Sequence, residues 1–464
     1  MAKVITDELR QELIFSSEAW YAIDKSTNLW MTLKKPHYLV VGMIHKFLDY
    51  SVMMKNVEST KTSDADKKKK ISEEIASLCA FYAKCDLPGY TSQLLSHLTV
   101  LLKDDQFVNT LDSNEGFLAF KNGMVNLATL EFREGIRSSD FITATIPFDY
   151  EVPDQDGVEF VRNVIFKICN ANESHLNYYL SSLGYSLLGK AELEKAMFFL
   201  VGQKGDNGKT LILDALKEIA PCYVDDIERK TFQEGYAKAH KHLKSTRGKR
   251  IVYVEELAKA IKQNVELLKQ FGDGKSIKNE IMFGTEEKIN LMAKLFVLSN
   301  HTPTFDADGG VQNRYRQIQF DSSFKTHYTE DDYESLQFVQ DNTLADKLKG
   351  QYKMALLYLL MTYSQKYEQD GMPPIPSLFQ EKAQSTIDMN DPFKAWFDDN
   401  CEVDPSYRAG KEEVVRSSKQ CFKNCSDELK RLGFDYKKGI RHNGARGCWE
   451  GFRIVVENMV EFRS

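Results

Sequence analysis

The run Ala196-Met-Phe-Phe-Leu-Val-Gly-Gln-Lys-Gly-Asp-Asn-Gly-Lys-Thr210 decides the fold. An apolar segment leads into a glycine-rich turn, and Leu211–Ile219 then repeats apolar residues at helical spacing. This pattern predicts a strand, a phosphate-binding loop and a helix. The backbone N–H groups of such a loop can surround a polyphosphate, and the helix N-terminus adds the positive end of its dipole. The sequence therefore predicts a nucleoside triphosphate site.

The loop residues have separate expected roles. Lys209 can reach the β- and γ-phosphates, and the Thr210 hydroxyl can ligate Mg²⁺. The loop is one residue longer than the strict pattern, because Gln203 stands where the first glycine is expected. A chance glycine-rich turn is the alternative, which the flanking strand and helix patterns disfavour. The predicted ATP-binding residues are Gly202, Gly205, Asn207, Gly208, Lys209 and Thr210.

The composition is that of a globular protein. A chain of 464 residues, 42% hydrophobic and 28% charged, predicts two to four domains. The formal net charge is −6, so any role in nucleic-acid binding must come from local basic patches. No apolar run approaches the length of a membrane span, and the N-terminus lacks a signal-peptide pattern. We therefore expect a cytoplasmic protein without a membrane partner.

Eight scattered cysteines indicate reduced thiols. Cys421, Cys425, His442 and Cys448 lie near one another in sequence, so a zinc site is one alternative. Cys421 and Cys425 are four positions apart and no Cys-x-x-Cys pair is present, so buried thiols are the favoured interpretation.

Two further apolar runs end on polar side chains. Arg250-Ile-Val-Tyr-Val-Glu-Glu-Leu257 predicts a buried parallel strand with two carboxylates at its C-terminal end, where an open α/β sheet binds its ligand. Glu255 is expected to assist Mg²⁺, and Glu256 to polarise the attacking water. The strand of Lys294–Asn300 ends on an amide, and Asn300 is placed to orient that water. The alternatives are an exposed acidic pair and a turn asparagine.

Arginines follow the third strand. Arg314 and Arg316 precede a short strand that ends at Phe320, where an arginine could reach the γ-phosphate of a neighbouring subunit. We favour Arg314 as this finger, with Arg316 as the other candidate. An isolated arginine at such a position is more often surface charge.

In this order, the residues resemble the superfamily 3 helicases of the AAA+ class. The closest resemblance is to the primase-helicases of poxviruses, other large DNA viruses, satellite phages and mobile elements. The shared order is a loop with Asn-Gly-Lys-Thr, a strand ending Glu-Glu, a strand ending Ser-Asn, and then arginine. The family often has adjacent arginines where Asn313-Arg314 stands here. The resemblance covers residues of about 15–325, including Phe120–Arg133 upstream of the loop, and leaves no room for a primase domain.

The resemblance also implies a DNA-contacting β-hairpin between Glu256 and Asn300. Residues 271–290 occupy that place, with the tip expected near residues 284–288. Its candidate DNA contacts are Lys275, Lys278 and Lys288. Acidic residues 286–287 stand near the expected tip, where the family often has basic ones.

The C-terminal region is locally basic. Residues 413–432 predict two helices, and residues 433–456 predict a two-stranded wing with a basic, glycine-rich tip. This looks like a winged helix, a common DNA-binding fold. Its expected phosphate contacts are Lys437, Lys438, Arg441 and Arg446. The alternative is a small packing domain with a solvated basic face.

The predicted fold class is α/β, with a central, largely parallel sheet flanked by helices. Short strands are expected over residues 117–127, 131–133 and 142–150, and helices over residues 330–370. The predicted segments are an N-terminal α+β module (1–155), a helical collar for oligomerisation (156–195), an AAA+ core (196–328), a helical extension with linker (329–375) and a winged-helix-like domain (376–464).

The favoured function is that of an ATP-driven, homo-hexameric DNA helicase in the replication of a virus, phage or mobile element. The resemblance implies ATP, Mg²⁺, 3′→5′ travel, single-stranded and forked DNA as substrates, and a separate primase or polymerase as partner. An origin-binding initiator ATPase without processive unwinding is the first alternative. A P-loop regulator that does not bind nucleic acid is the second.

Overall fold

The computed structural model describes residues 9–10, 12–203, 205–236, 239–256, 264–280, 286–303 and 309–455. The N-terminal part begins with an antiparallel sheet in the order β1-β2-β3, followed by helices and a second antiparallel sheet in the order β4-β5-β6. Its elements are β1 (Leu13–Ser16), β2 (Ala19–Asp24), β3 (Leu29–Leu33), α1 (Pro36–Lys61), α2 (Ala65–Cys85), α3 (Pro88–Leu101), α4 (Phe107–Thr110), β4 (Phe117–Phe120), β5 (Gly123–Asn126), β6 (Phe132–Glu134), α5 (Gln155–Ile168) and α6 (Glu173–Leu187).

A five-stranded sheet forms the centre of the molecule, in the order β13-β7-β12-β9-β8, and every neighbouring pair is parallel. A two-stranded hairpin, β10-β11, and the short pair β14-β15 lie outside it. The elements are β7 (Met197–Val201), α7 (Lys209–Ile219), β8 (Val224–Asp226), α8 (Ala239–Lys244), β9 (Ile251–Glu255), α9 (Val265–Asp273), β10 (Ile277–Glu280), β11 (Glu286–Ile289), β12 (Lys294–Ser299), α10 (Gly309–Gln312), β13 (Tyr315–Gln319), β14 (Ser323–Lys325) and β15 (Gln337–Val339).

The C-terminal part adds helices and a third antiparallel sheet in the order β16-β18-β17. Its elements are α11 (Leu344–Lys349), α12 (Lys353–Asp370), α13 (Ser377–Met389), α14 (Pro392–Asn400), β16 (Cys401–Gly410), α15 (Lys411–Ser418), α16 (Phe422–Arg431), β17 (Tyr436–His442) and β18 (Ala445–Ile454). No helix among the described residues is both long and apolar enough to cross a membrane.

The central sheet is buried on both faces because its strands are continuous apolar runs. Along β7, Phe198 and Leu200 point into one hydrophobic cluster, which includes helices α5, α6, α7 and α12. Met197, Phe199 and Val201 point into a second cluster with α9 and the hairpin. Since successive strand residues face opposite sides, one short strand supports both layers. Truncating Phe198 to alanine would therefore cost about 3–5 kcal/mol of stability.

Register aligns the carboxyl ends of three strands. Ser299 pairs with Val201, and Leu298 pairs with Glu255, so β7, β12 and β9 all end at the same edge of the sheet. The glycine-rich loop leaves β7 at this edge. The opposite, amino edge carries the starts of β12 and β13, and the hairpin precedes β12 there.

Two secondary-structure predictions were wrong. Residues 142–150 contain no strand in the structure; an isolated bridge joins Phe120 to Ile146, and only two backbone hydrogen bonds connect this segment to β4 and the residue after it. Residues 330–370 are not all helical, since β15 pairs with β14 before α11 begins. The two strands predicted for the wing over residues 433–456 are present as β17 and β18, and β16, which precedes the two predicted helices, adds a third strand to their sheet.

The C-terminal unit begins with a well-formed helix start. Pro392 opens α14, and the buried Asp391 carboxylate accepts from the backbone N–H groups of Phe393 and Lys394. Trp449, Phe397 and other apolar residues form a separate core here. Just before it, α13 packs against the central sheet, where the Thr386 hydroxyl donates to Gln317 Oε1 at 2.8 Å. The domain boundary expected at residue 376 stays a prediction, and α13 follows it.

Candidate active site

The loop predicted to bind phosphate runs from the end of β7 to the start of α7. Two of its glycines are required sterically. A Cβ at Gly202 would overlap the Asn207 amide, and Gly208 has a φ of +79° with a Cβ position 2.8 Å from Ile168 Cγ1. Gly205 is exposed and has no atom within 4 Å of its Cβ position, so its conformation is not sterically constrained by neighbours.

Asn207 organises the loop from within. Its side chain is 2% exposed, and its Oδ1 lies 3.4 Å from the Lys209 backbone nitrogen and 3.5 Å from Lys209 Nζ. These are long hydrogen bonds. They hold the amide between the loop and the first turn of α7, beside the helix N-terminus that favours an anion.

Lys209 connects the loop to the neighbouring strand. Its side chain is 7% exposed, and its Nζ donates a hydrogen bond to Asn300 Oδ1 at the end of β12. Burial lowers the pKa of Lys209, and the nearby Glu256 and Glu255 carboxylates partly oppose that change. A buried ammonium held by an amide oxygen can readily exchange that partner for a phosphate oxygen.

The acid pair lies at the end of β9. Glu255 is exposed, whereas Glu256 is partly buried and has a φ of +38°. The Glu256 N–H donates to the Leu298 carbonyl at 2.9 Å, and its Oε1 accepts from the Asn300 N–H at 3.2 Å. A left-handed glutamate costs about 1–3 kcal/mol and persists where the surroundings determine it. Here the backbone turn directs Glu256 toward Asn300.

These groups surround one cleft of about 720 Å³. The structure therefore brings together loop residues Gly205, Asn207, Gly208, Lys209 and Thr210 with Glu255, Glu256 and Asn300. Gly202 lies behind them at the end of β7. Further charged lining residues that sequence reasoning missed are Asp226, which ends β8, and Glu228 and Arg229, which follow it. A three-residue strand gives too weak a pattern to mark them.

The cleft can accommodate a hydrated Mg²⁺ shared with phosphates. Thr210 and Glu255, the predicted ligands, both line it, and hydroxyl and carboxylate oxygens suit this hard cation. Among the described residues no group of three or more His, Cys, Asp or Glu side chains is arranged to hold a metal alone. That donor set fits Mg²⁺, which is usually bound through one or two carboxylates plus substrate phosphates.

A second, smaller cavity of about 270 Å³ lies against the same loop. It shares Asp206, Gly208 and Leu211 with the larger cleft. Its walls are mainly apolar, with amide and carboxylate groups at one side. The other lining residues are Ile168, Phe324, Gln340, Asp341, Asn342, Leu344 and Ala345. Sequence reasoning did not find this cavity, because its walls come from four separate segments.

Arg314 lies at the amino edge of the sheet, away from the cleft. Its guanidinium binds both oxygens of Asp273, with Nε–Oδ1 at 2.6 Å and Nη2–Oδ2 at 3.0 Å, and also donates to the Gly310 carbonyl. Asp273 is buried, and the bond from Arg314 lowers its pKa to about 2. Arg316 instead donates to the Asn313 and Tyr315 carbonyls, each at 2.9 Å.

The hairpin residues have different surroundings. Lys275 is exposed and pairs with Asp273 at 3.0 Å, at the base of the hairpin. Lys278 and Lys288 are direct partners across β10 and β11. The expected tip position of Lys288 was therefore wrong, because Glu286–Ile289 form the returning strand. Residues 281–285, which join the strands, lie outside the described residues.

The wing presents its basic residues to solvent. Lys437, Lys438 and Arg441 on β17 and Arg446 on β18 are all exposed, and Arg441 pairs in register with Arg446. Of the four groups considered for zinc, Cys425 and Cys448 are buried in the core of this unit, whereas Cys421 is exposed. Burial raises the pKa of both the Cys425 and the Cys448 thiols. All eight cysteines are free thiols.

Known proteins share the sequence of this chain in part. Residues 2–167 match the family model described as "D5 N terminal like". The predicted resemblance to the primase-helicase family is confirmed. A "Putative helicase" of Acanthamoeba polyphaga mimivirus is 24% identical over 320 residues, which are 67% of this chain and 33% of that protein.

Two iridescent viruses contain further relatives. The "Putative helicase 184R" of Invertebrate iridescent virus 6 is 24% identical over 255 residues, covering 52% of this chain and 26% of its own length. The "Putative helicase 121R" of Invertebrate iridescent virus 3 is 25% identical over 239 residues, which are 46% of this chain and 25% of that protein. The chain thus spans a third or less of the length of these relatives.

Among solved structures, the apo NrS-1 C terminal region is similar at 13% identity and a TM-score of 0.36, covering 51% of this chain and 52% of that one. Another apo structure of that region is 15% identical with a TM-score of 0.35. The match covers 65% of this chain and 76% of that one. Because both scores are low, the site is assigned from the geometry of this chain alone.

Proposed function

We propose that this chain is the motor of an ATP-driven DNA helicase that acts in viral replication. The observation that carries the proposal is the bond from Lys209 to Asn300, which places a buried ammonium between a phosphate loop and two carboxylates at one sheet edge. The relatives named as viral helicases support the same function.

We assign the triphosphate to the larger cleft. Its phosphates would accept from the loop N–H groups and from Lys209, and Thr210 and Glu255 would hold a Mg²⁺ ion that would neutralise phosphate charge. When Lys209 turns to a phosphate, the Asn300 amide is released. Asn300 and Glu256 are already joined, so the two together can hold and polarise an attacking water.

The smaller cavity is our assignment for the base. It is apolar, adjoins Gly208 and Leu211, and has amide and carboxylate groups at its rim. The Phe324 N–H donates to the Asp206 carbonyl at 2.9 Å, and Lys325 pairs with Asp206, so the cavity wall moves with the loop. ATP is accordingly the nucleotide we propose.

The position of the arginines supports the proposal of a ring. Tyr315 pairs with Met197 at the start of β7, whereas the loop follows Val201 at its end. The two edges are separated by roughly 13 Å of strand, so Arg314 is far from the cleft of its own subunit. We propose an AAA+ ring of six subunits in which Arg314, or Arg316, reaches the ATP of a neighbour.

DNA contacts are proposed at two places. The hairpin carries Lys275, Lys278 and Lys288 at the amino edge. The C-terminal unit, with its order of helix, strand, two helices and two strands, is our winged-helix candidate. Its exposed basic wing also supports the alternative function, an origin-binding initiator that does not unwind processively.

Strand displacement distinguishes the two functions. The full chain is given ATP and a forked duplex with a labelled strand, and Lys209→Ala serves as the inactive control. The helicase proposal expects displacement and ATP hydrolysis that single strands stimulate. DNA-stimulated hydrolysis without displacement would favour the initiator, and hydrolysis indifferent to DNA would contradict both.

The wing is tested by charge reversal. Lys437→Glu with Lys438→Glu should weaken duplex binding and flatten its salt dependence, since each lost phosphate contact removes about 0.9 from the log–log slope. The exposed Lys382→Glu on α13 is the matched control. Equal affinity and slope in both variants would leave DNA binding to the hairpin.

A further inference from the structure

Helix α1 has two apolar faces, and only one of them is covered. Val40, Ile44 and Leu48 are at most 1% exposed and pack in the N-terminal core. A second row follows another side of the helix, with one member, Met43, partly buried against the N-terminal core. Its spacings alternate between four and three residues, as at the a and d positions of a coiled coil. This α1 stripe consists of Leu39, Met43, Lys46, Tyr50, Met53 and Val57.

The α1 stripe is largely exposed. Tyr50 is 58% exposed, Met53 52%, and Leu39 and Val57 39% each, while Met43 is partly buried. Single exposed apolar residues are ordinary on protein surfaces. A continuous row along 18 helical positions, roughly 27 Å, is instead typical of a surface that meets another helix.

The charge pattern of the stripe selects a partner. Lys46 is the one charged residue in the stripe and lies close to its midpoint at residue 48, with Asp49 beside it. Among the described residues neither Lys46 nor Asp49 takes part in an ion pair within the chain. A second helix of the same sequence, running antiparallel, would supply the missing partners.

We propose that the α1 stripe pairs with the α1 stripe of a second copy of this chain, antiparallel about a two-fold axis near residue 48. Positions whose numbers sum to 96 then meet, which matches every a position with a d position. Leu39 meets Val57 of the second copy and Met43 meets its Met53. Lys46 meets Tyr50 of the second copy. This brings Lys46 within about one helical turn of Asp49 in that second copy.

This pairing satisfies the charges as well as the apolar groups. Each Lys46 ammonium can lie over the Tyr50 ring of the second copy and near its Asp49 carboxylate. Two lysines and two aspartates therefore surround the axis with no net charge. A parallel pairing would instead place the two Lys46 side chains against each other, which is unfavourable.

The contact is small and therefore reversible. Two helices in contact over this length bury about 1,000 Å², below the standard size for a stable interface. We expect a dissociation constant on the order of micromolar. Since a two-fold contact joins identical surfaces, it cannot be the head-to-tail contact that closes a ring. In the proposed ring it would join subunits of two rings, but the pairing itself does not depend on the ring or on ATP.

Sedimentation velocity of the full chain, without nucleotide or DNA and over about 1–100 micromolar protein, tests the pairing. We expect a reversible monomer–dimer equilibrium. Met53→Glu and Lys46→Glu should each weaken it at least tenfold, because Lys46→Glu places four acids around the axis. Lys46→Glu combined with Asp49→Lys should restore it. Val100→Glu, at a 76%-exposed site on α3, is the matched control and should have no effect.

Circular dichroism and ATP hydrolysis should be unchanged in these variants, since α1 lies outside the cleft. A chain that stays monomeric throughout the concentration range would overturn the proposal. So would a dimer that Lys46→Glu leaves intact, or a double variant that does not recover. Binding of the stripe to vesicles containing anionic lipid, without self-association, would show that it faces a membrane instead.

Discussion

The two edges of the central sheet use charge in opposite ways. At the carboxyl edge, Lys209, Glu255 and Asn300 line an open cleft, and Lys209 is bound to an amide that a ligand can replace. At the amino edge, Arg314 and Asp273 are bound to each other in a fixed, two-point geometry. The side chains at the carboxyl edge can exchange their partners for a ligand, whereas those at the amino edge are held by each other.

Lys294 makes the difference clearer. It begins β12, the strand that ends next to Asn300, and its side chain is fully buried. Its Nζ donates to the Glu194 carbonyl and, at 2.8 Å, to the Gly272 carbonyl. At the start of β12, Lys294 is bound to backbone carbonyls of the fold. At the end of the same strand, Asn300 is bound to Lys209, which we propose takes part in the chemistry. Gly272 adjoins Asp273, so the amino-edge groups form one connected unit at the base of the hairpin.

The largest effect is expected at the carboxyl edge. Lys209→Ala should reduce ATP hydrolysis by about a thousandfold or more, because the ammonium is lost from the β- and γ-phosphates. Its fold should be intact, since the alanine removes only the side-chain hydrogen bond to Asn300 and the long one to Asn207. Hydrolysis by the purified variant, with a melting curve as control, measures this. Turnover close to that of the parent would contradict the phosphate-loop assignment.

Glu256→Gln should be next, with hydrolysis reduced about a hundredfold while ATP binding is retained. The amide keeps the shape and the bond to the Asn300 N–H but cannot polarise water as a carboxylate does. Binding of a fluorescent ATP analogue and single-turnover hydrolysis separate the two steps. Glu255→Gln is the matched control variant at the neighbouring position. If it shows the larger loss of hydrolysis, Glu255 polarises the water and Glu256 assists Mg²⁺.

Sequence patterns predicted the carboxyl edge better than the amino edge. The loop, Glu255, Glu256 and Asn300 each follow an apolar strand, so local pattern and parallel topology place them together. Asp226 ends a strand of only three residues and Arg229 follows it, and so short a strand gives no usable periodicity. Asp273 ends a helix and acquires its role from Arg314, 41 positions later. Such a contact depends on tertiary packing, which no local pattern encodes.

At the amino edge we expect an effect on stability. Asp273→Asn should lower the free energy of unfolding by about 2–3 kcal/mol, because Arg314 then keeps a partly buried charge without its partner. Asp341→Asn is the matched control, since Asp341 also has a pKa of about 2 but pairs with Lys347 in solvent. The Asp341→Asn variant should lose less than about 1 kcal/mol of unfolding free energy. Equal losses in urea unfolding would show that burial adds nothing to the Arg314 pair.

The pH dependence has a definite sign. The folded pKa of Asp273 is depressed, so its contribution is present above about pH 4 and is lost as pH falls toward 2. The difference in unfolding free energy between the parent and Asp273→Asn should shrink over that interval. If this difference in unfolding free energy stays constant from pH 5 to pH 3, the Asp273 carboxylate does not stabilise the fold. Measurements about one pH unit apart are sufficient to decide this.

Lys294 should give the smallest effect, with the same sign of pH dependence as Asp273 but in a higher pH range. Burial lowers its pKa to about 7, so between pH 7 and 9 the unfolded chain binds more protons than the folded one. The parent should therefore gain roughly 2 kcal/mol of stability relative to Lys294→Met over that range. The two carbonyls and the Tyr185 ring favour the ammonium and limit the change. Exposed Lys382→Met should show no such trend; the same trend in both would contradict the assignment.

The central claim is that the carboxyl edge of one subunit works with the amino edge of the next. Arg314→Ala should lose ATP hydrolysis, as Lys209→Ala should. Mixing these two variants tests the claim most directly, because a mixed ring contains interfaces that join an intact loop to an intact arginine. ATP hydrolysis is measured across mixing ratios, with Arg316→Ala in parallel and labelled subunits to verify exchange. The account predicts partial recovery of hydrolysis with Arg314→Ala or with Arg316→Ala. No recovery for either arginine at any ratio, in rings shown to have exchanged subunits, would contradict it.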